Sequence, residues 1–297
     1  MKDVGNPKII NLLNKKETKN LNLKFKNTLL NYKKKYSRNS SLLDFKKKFV
    51  NHESVIMKCI AYSMMDHAFW MKMKKKVKSY LEREKLCKEE LFCHPIFYSR
   101  HSSPEIQKKN KCLLEGQPHY DRSFNIKAYT IWLSLDFANF ESGGLCFFKN
   151  NKFVRKNFFV KWGEKNKFNT DKYMKNYKKF DYELKKVFIP PNLSPGQCYL
   201  FDSNTLHGSI KSISKERWSL DFRFIPKSMI KKCDLNSKKI IESFNKDINL
   251  SNARNLSLLG DHELLKNKKK QIKKIKSKYN LRKPTKLSWR DEYSWIN

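Results

Sequence analysis

The sequence predicts an α+β fold in which helical segments flank an all-β middle. Three observations carry that prediction. Apolar residues recur at spacings of three and four between Leu42 and Met73. Strand-like alternation punctuated by turn residues runs from His94 to Phe224. Helical spacing then returns at Ile240, Ile241, Phe244 and Ile248. With 297 residues, 39% of them hydrophobic and 13% aromatic, the chain can bury a substantial core.

Residues 1–40 are rich in Lys and Asn and read as an N-terminal arm, either a frayed helix pair or a partly disordered stretch. From Ser41 the pattern sharpens, with Leu42, Phe45 and Phe49 on one helical face and Val55, Ile56, Cys59, Ile60, Met64, Ala68, Phe69, Met71 and Met73 in the next stretch. Lys58, Asp66 and His67 interrupt the most apolar run, so it reads as a buried helix and not as a membrane span. Strands are expected at His94–Ser99, at Lys127–Leu135 with its β-branched and aromatic residues, at Leu145–Phe148, at Val187–Pro190, at Cys198–Phe201 and at Trp218–Phe224. On the second of these, Thr130, Trp132 and Ser134 share one face. Residues 149–186 interrupt the strand-paced region, and an insertion of that length reads either as a lid, with Trp162, Phe168, Tyr173 and Tyr177 as candidate walls, or as a solvated Lys-rich loop. The division expected is an arm at 1–40, a core at 41–226 and a helical extension at 227–297. The extension includes a Lys-dense helix near 264–279 and a tail whose Trp289 and Trp295 dock on the body.

The formal charge of +37 would ordinarily suggest a nucleic-acid or membrane partner. Here the basic residues are nearly all Lys, come with abundant Asn and Ile, and concentrate in the flanks. From Leu91 to Pro226 there are only 23 Lys and Arg against 12 Asp and Glu. Compositional bias explains such a pattern, and a nucleic-acid partner is not expected. The seven Cys form no C-x-x-C pair, and the N-terminus lacks an apolar signal core. A reduced cytoplasmic protein is the simplest expectation.

Chemistry concentrates in the middle. Two residues apart on a strand, His119 and Asp121 would project from one face and reach a single ion. A second imidazole would complete the two-His-one-carboxylate set of non-haem Fe(II) oxygenases. His207, at a strand end after a Pro-Gly turn, fits that place, and His101 is the substitute. On the last strand Arg217, Ser219, Asp221 and Arg223 share a face opposite Trp218, Leu220, Phe222 and Phe224. Such a polar face lies either in solvent or along a polar cavity. In a cavity, Arg217 could fork onto a carboxylate with the Ser219 hydroxyl beside it, with Arg223 as runner-up or as a substrate contact.

This stretch resembles the phytanoyl-CoA dioxygenase-like family of Fe(II)/2-oxoglutarate-dependent oxygenases. The likeness runs in order through His119-x-Asp121, Trp132-Leu133-Ser134-Leu135-Asp136, Ser142-Gly143-Gly144-Leu145, Leu193-Ser194-Pro195-Gly196-Gln197, Phe201 to Ser209 and Arg217-Trp218-Ser219-Leu220. It departs from the family at Phe147-Phe148-Lys149-Asn150, where Gly-Ser-His often stands, and at Gln197, usually acidic. The resemblance implies a double-stranded β-helix (jelly-roll) core, Fe(II) on His119, Asp121 and His207, and 2-oxoglutarate on Arg217, with Ser219 and Thr130 also beside the co-substrate. Trp132 and Arg223 are the substrate candidates. It further implies hydroxylation of a small-molecule substrate with O2, giving succinate and CO2. A carboxylate at Asp121 fills the place where related halogenases keep a small residue and chloride. The other readings are a non-catalytic jelly-roll binding protein and a basic polyanion-binding protein.

Overall fold

The computed structural model describes residues 2, 4–36, 38–49, 55–107, 112–121, 126–149, 159–162, 165–168 and 176–248. The chain opens with β1 (Lys8–Asn11), then α1 (Lys15–Tyr36), α2 (Leu42–Phe49), α3 (Val55–Met64) and α4 (His67–Arg83). β2 (Leu91–Cys93), β3 (Tyr98–Ser102), the short α5 (Pro104–Gln107), β4 (Leu114–His119), β5 (Tyr129–Ser134) and β6 (Gly144–Phe148) follow. The hairpin β7 (Phe159–Trp162) and β8 (Lys165–Phe168) leads to α6 (Tyr177–Val187) and β9 (Phe188–Ile189). β10 (Gln197–Asp202), β11 (His207–Ile210) and β12 (Arg217–Pro226) precede α7 (Lys227–Ile230) and α8 (Leu235–Lys246).

The architecture is mixed helix and antiparallel sheet. A larger sheet runs β1-β10-β5-β12-β2, with β3 also paired to β12, and a smaller one runs β4-β11-β6-β9. β12 is buried over its whole length, so its alternation separates two interior faces. Leu220, Phe222 and Phe224 join Ile131, Leu133 and Leu200 on the face that the helices cover. On the other face Trp132, Tyr199 and Phe201 pack with Leu145 and Phe147 of β6. The polar residues of β12 therefore look between the two sheets and not into solvent.

The helical face is built on the apolar stripe of α4. Asp66 caps it by accepting the Phe69 amide at 3.0 Å, which satisfies one of the helix's orphan donors. Phe69, Trp70, Met73, Val77 and Leu81 are buried along one side. Trp70 makes edge-on contacts with Phe97, Phe222, Phe224 and Phe244, each contributing about 0.5–1.5 kcal/mol beyond area burial. No described helix is long and apolar enough to cross a membrane.

Several elements differ from the sequence reading, and the strand expected at His94–Ser99 falls mostly in the connection between β2 and β3. Composition sets residues 1–40 apart as an arm, yet β1 pairs with β10 and α1 buries Phe25 and Leu29 in the main core. Lys-rich exposed faces hide that narrow apolar stripe. The strand expected at Val187–Pro190 shrinks to Phe188–Ile189 because α6 runs through Val187. Within 149–186 the described parts are a hairpin and α6. Tyr177 packs half-buried against the cluster around Leu184 and Phe188, while Tyr173, the 264–279 helix, Trp289 and Trp295 lie outside the described residues.

Turns set the edges of the inter-sheet space. Gly143 has φ +74°, and a Cβ there would stand 2.6 Å from the Ile210 carbonyl oxygen. Only glycine fits a turn pressed so closely on β11. Gly143→Ala is expected to cost the left-handed backbone term of about 1–2 kcal/mol plus a further roughly 1–3 kcal/mol for the clash, measured by chemical denaturation. Gly5→Ala, at φ +71° with open space around it, should show only the left-handed backbone cost of about 1–2 kcal/mol. Equal losses at the two positions would refute the close-approach argument.

Candidate metal centre

Antiparallel pairing puts β11 inside the smaller sheet, with His207 opposite His119 of β4 and, on its other side, opposite Phe147 of β6. Directly opposed residues on adjacent strands are close neighbours, and the two imidazole centroids lie 4.4 Å apart. The β11–β4 register shifts on either side of Ser209, the kind of irregularity that re-aims a side chain. His207 thus begins a strand, where the sequence reading places it at a strand's end.

Asp121 also reaches the site differently. β4 ends at His119, so the carboxylate comes from the connection beyond it and not by strand alternation. Pro118, with no amide hydrogen to donate, stands beside that strand end. Asp121 Oδ1 is 3.8 Å from His119 Nε2, and Oδ2 is 3.8 Å from His207 Nε2. One ligand atom from each of the three residues falls within 4.8 Å of the others. Bonds of about 2.1 Å at right angles to a common ion put donors about 3.0 Å apart, so the three would draw together by roughly 1–2 Å on binding.

The state of these donors suits a cation. His207 Nδ1 is 2.9 Å from the Thr205 carbonyl, which can only accept. The hydrogen therefore sits on Nδ1 and the Nε2 lone pair faces the site. Burial, reinforced by His119, pushes the His207 pKa down to about 4 and keeps the ring neutral. Burial alone would raise Asp121, but Arg223, with His207 and His119, holds its carboxyl well below the usual carboxylate range. The site offers two imidazoles, that of His207 held neutral, and one ionised carboxylate, the donor set that binds a divalent metal while leaving positions open.

Around this cluster the inner face of the larger sheet is arranged in rows. Phe201, Thr130 and Arg223 form one row across β10, β5 and β12; Tyr199, Trp132 and Asp221 form the next. Thr130 donates its hydroxyl to Asp121 Oδ2 at 3.2 Å, and Arg223 Nη2 donates to Oδ1 at 2.7 Å. Arg217 lies over the Trp132 ring at 4.8 Å from its centroid. Its Nη1 donates to Ser219 Oγ at 2.7 Å, and its Nε donates to the Ser142 carbonyl at 3.3 Å. Burial pushes the Arg217 pKa down to about 10. Among the described residues no carboxylate comes within ion-pairing reach of it. Glu115 and Asp136 act on it from farther away.

His101 is not brought to the cluster. It pairs with Trp218, stacks on that ring at 3.9 Å between centroids, and sets Nε2 against Glu216. Trp132 and Arg223, the substrate candidates, lie under Arg217 and against Asp121 respectively. Gln197 keeps the turn before β10 closed, its Oε1 accepting the Ser194 amide at 2.8 Å. Phe147, where the sequence departs from the resembled family, packs edge-on against Tyr199 and Phe201.

Sequence reasoning missed three contributors. Arg100 grips Asp221 with Nε at 3.3 Å and Nη2 at 2.9 Å. His94 is buried, and burial together with Arg223 keeps it neutral. Thr205 contributes only its backbone, which no side-chain pattern reveals. For Arg100, alternation from Tyr98 to Ser102 was the available signal.

No family model and no curated protein matches this sequence. Similar solved structures include EvdO2 from Micromonospora carbonacea var. aurantiaca complexed with 2-oxoglutarate, 13% identical over 74% of this chain and 86% of that one, with a TM-score of 0.43. The epimerase SnoN in complex with Fe3+, alpha ketoglutarate and nogalamycin RO is 14% identical over 73% and 77%, at 0.41. CytC3 with Fe(II) and alpha-ketoglutarate is 14% identical over 73% and 72%, at 0.38. Likeness at this level leaves the chemistry to be argued from the side chains.

The depressed His207 pKa has a consequence for stability. The unfolded chain takes up this proton near pH 6.5, while the native ring resists it to about 4. The contribution is therefore present above about 6.5 and lost as pH falls towards 4, at up to about 1.4 kcal/mol per pH unit. In urea unfolding with chelator present, wild type should lose about 2 kcal/mol more than His207→Gln between pH 7 and pH 5. Identical losses would show that His207 titrates normally.

Proposed function

We propose that this protein is an Fe(II)/2-oxoglutarate-dependent oxygenase with a jelly-roll core, resembling the phytanoyl-CoA dioxygenase-like proteins, and that it hydroxylates a small organic substrate. One observation carries the reading. A buried guanidinium with no carboxylate partner among the described residues lies over Trp132, in the row beside the Thr130 and Arg223 that hold the carboxylate of a two-His-one-carboxylate cluster, on the same inner face. Alternate residues along a strand are about 6.7 Å apart, a span suited to a five-carbon diacid held at both ends.

In this reading His119, Asp121 and His207 hold Fe(II), which would supply oxygen activation coupled to decarboxylation of the 2-oxo acid. Arg217 binds the far carboxylate, where a rigid fork matches two oxygens, and Ser219 fixes that fork through its Nη1. Trp132 supports the guanidinium from below. Thr205 sets the His207 tautomer so that Nε2 stays a ligand without having to lose a proton. Phe147, Phe201 and Tyr199 give the space apolar walls, which exclude water from the reacting centre.

Anaerobic addition of Fe(II) and then 2-oxoglutarate to the purified protein should produce the weak visible charge-transfer band of a chelated 2-oxo acid. His207→Ala should abolish it. Arg217→Ala should require at least roughly tenfold more 2-oxoglutarate, because a charge-assisted bidentate contact contributes more than 1.4 kcal/mol. Absence of the band at saturating iron would remove the proposal and leave a binding protein.

A further inference from the structure

The two donors on Asp121 do unequal things. Arg223 gives Nη2 to Oδ1 at 2.7 Å, the length of a charge-assisted bond. Thr130 gives a neutral hydroxyl to Oδ2 at 3.2 Å. Arg223 is 1% exposed, stands opposite Thr130 in the β12–β5 register, and has the Ile96 carbonyl within 3.5 Å of Nη1. Held between strands, its guanidinium has no solvent-facing position to retreat to. Among the described residues, a divalent cation approaching Asp121 meets a fixed positive charge at Oδ1 and a long neutral hydrogen bond at Oδ2.

We propose that Arg223 is a positioning residue that confines Asp121 to ligation through a single oxygen and so keeps one more position on the ion open for exogenous ligands. The inference rests on the metal site proposed above. Carboxylates bind metals through one oxygen or both, and nothing in an aspartate's own chemistry selects between them. Three single-atom protein ligands occupy half of an octahedron. The remaining half would have room for a chelating 2-oxo acid together with oxygen. A two-oxygen Asp121 would remove one of its positions. Arginine suits the task better than lysine because its planar fork cannot rotate away from the oxygen it covers.

The bland alternative is that Arg223 only neutralises a buried acid. Counting waters on bound Mn(II) separates the two, using deuterium modulation of its electron spin echo in D2O calibrated on the hexaaqua ion. Wild-type protein should hold about three exchangeable waters, the open half of the octahedron. Arg223→Met, its fold checked by circular dichroism with Mn(II) bound, should lose about a third of them as Asp121 turns to use both oxygens. An unchanged count in folded Arg223→Met overturns the proposal. So does a count of about two in the wild type, which decides the matter even if the variant fails to fold. A wild type whose bound Mn(II) does not depend on His207 would instead overturn the metal site itself.

Discussion

An ionised carboxylate in the interior of a protein costs several kcal/mol unless its charge is met, and Asp121 imposes that constraint on everything around it. It is 4% exposed. The neighbours that keep it charged come from three directions: Arg223 from β12, Thr130 from β5, and the two histidines from the smaller sheet. None of these elements can shift by a residue without uncovering the acid. A one-residue slip of β12 against β5 would turn Arg223 towards the helices and bring an aromatic side chain to the carboxylate. The register of the larger sheet and the chemistry of the site are therefore one requirement.

The same strand answers to a second requirement on its other face. Leu220, Phe222 and Phe224 bury against Trp70 and its neighbours, so the helices clamp β12 from behind while the polar row works in front. Helix packing contributes to the site by immobilising the strand that carries Arg217, Ser219, Asp221 and Arg223. The main hydrophobic core draws on β1 and α1 at one end of the chain and Phe244 and Ile248 at the other. Segments remote in sequence thereby support a site built from fewer than a dozen residues.

Much of this could be read in the chain itself, and the reasons differ by residue. The β12 alternation is visible because polar and apolar side chains strictly interleave, although the sequence cannot say whether the polar face meets water or a second sheet. His119 and His207 stand out because histidines are few and both sit beside turn residues. Asp121 is identified as a ligand candidate from a pattern whose stated cause, strand alternation, does not operate in the structure. Its carboxylate arrives from a loop. Residues 1–40 look like an arm because lysine and asparagine dominate their composition and outnumber the narrow stripe that docks them, Leu21, Phe25 and Leu29 at a spacing of four. Thr205 acts through its carbonyl and leaves no trace in sequence.

Arg217 and Arg223 illustrate what sequence spacing alone cannot distinguish. They stand six residues apart on one face of one strand, both almost wholly buried. Arg223 meets a carboxylate at 2.7 Å and is satisfied by the protein. Arg217 has a hydroxyl, a carbonyl and the face of an indole, none of which carries a charge. Burial accordingly lowers its pKa to about 10, which still leaves it protonated at neutral pH. Keeping a cation buried in that condition destabilises the fold, and natural proteins tolerate such local costs chiefly at functional sites. An anion placed on Arg217 would recover part of that cost as binding energy. The contrast between the two arginines is thus the physical reason to assign one to the protein's own acid and the other to an acid that arrives from outside.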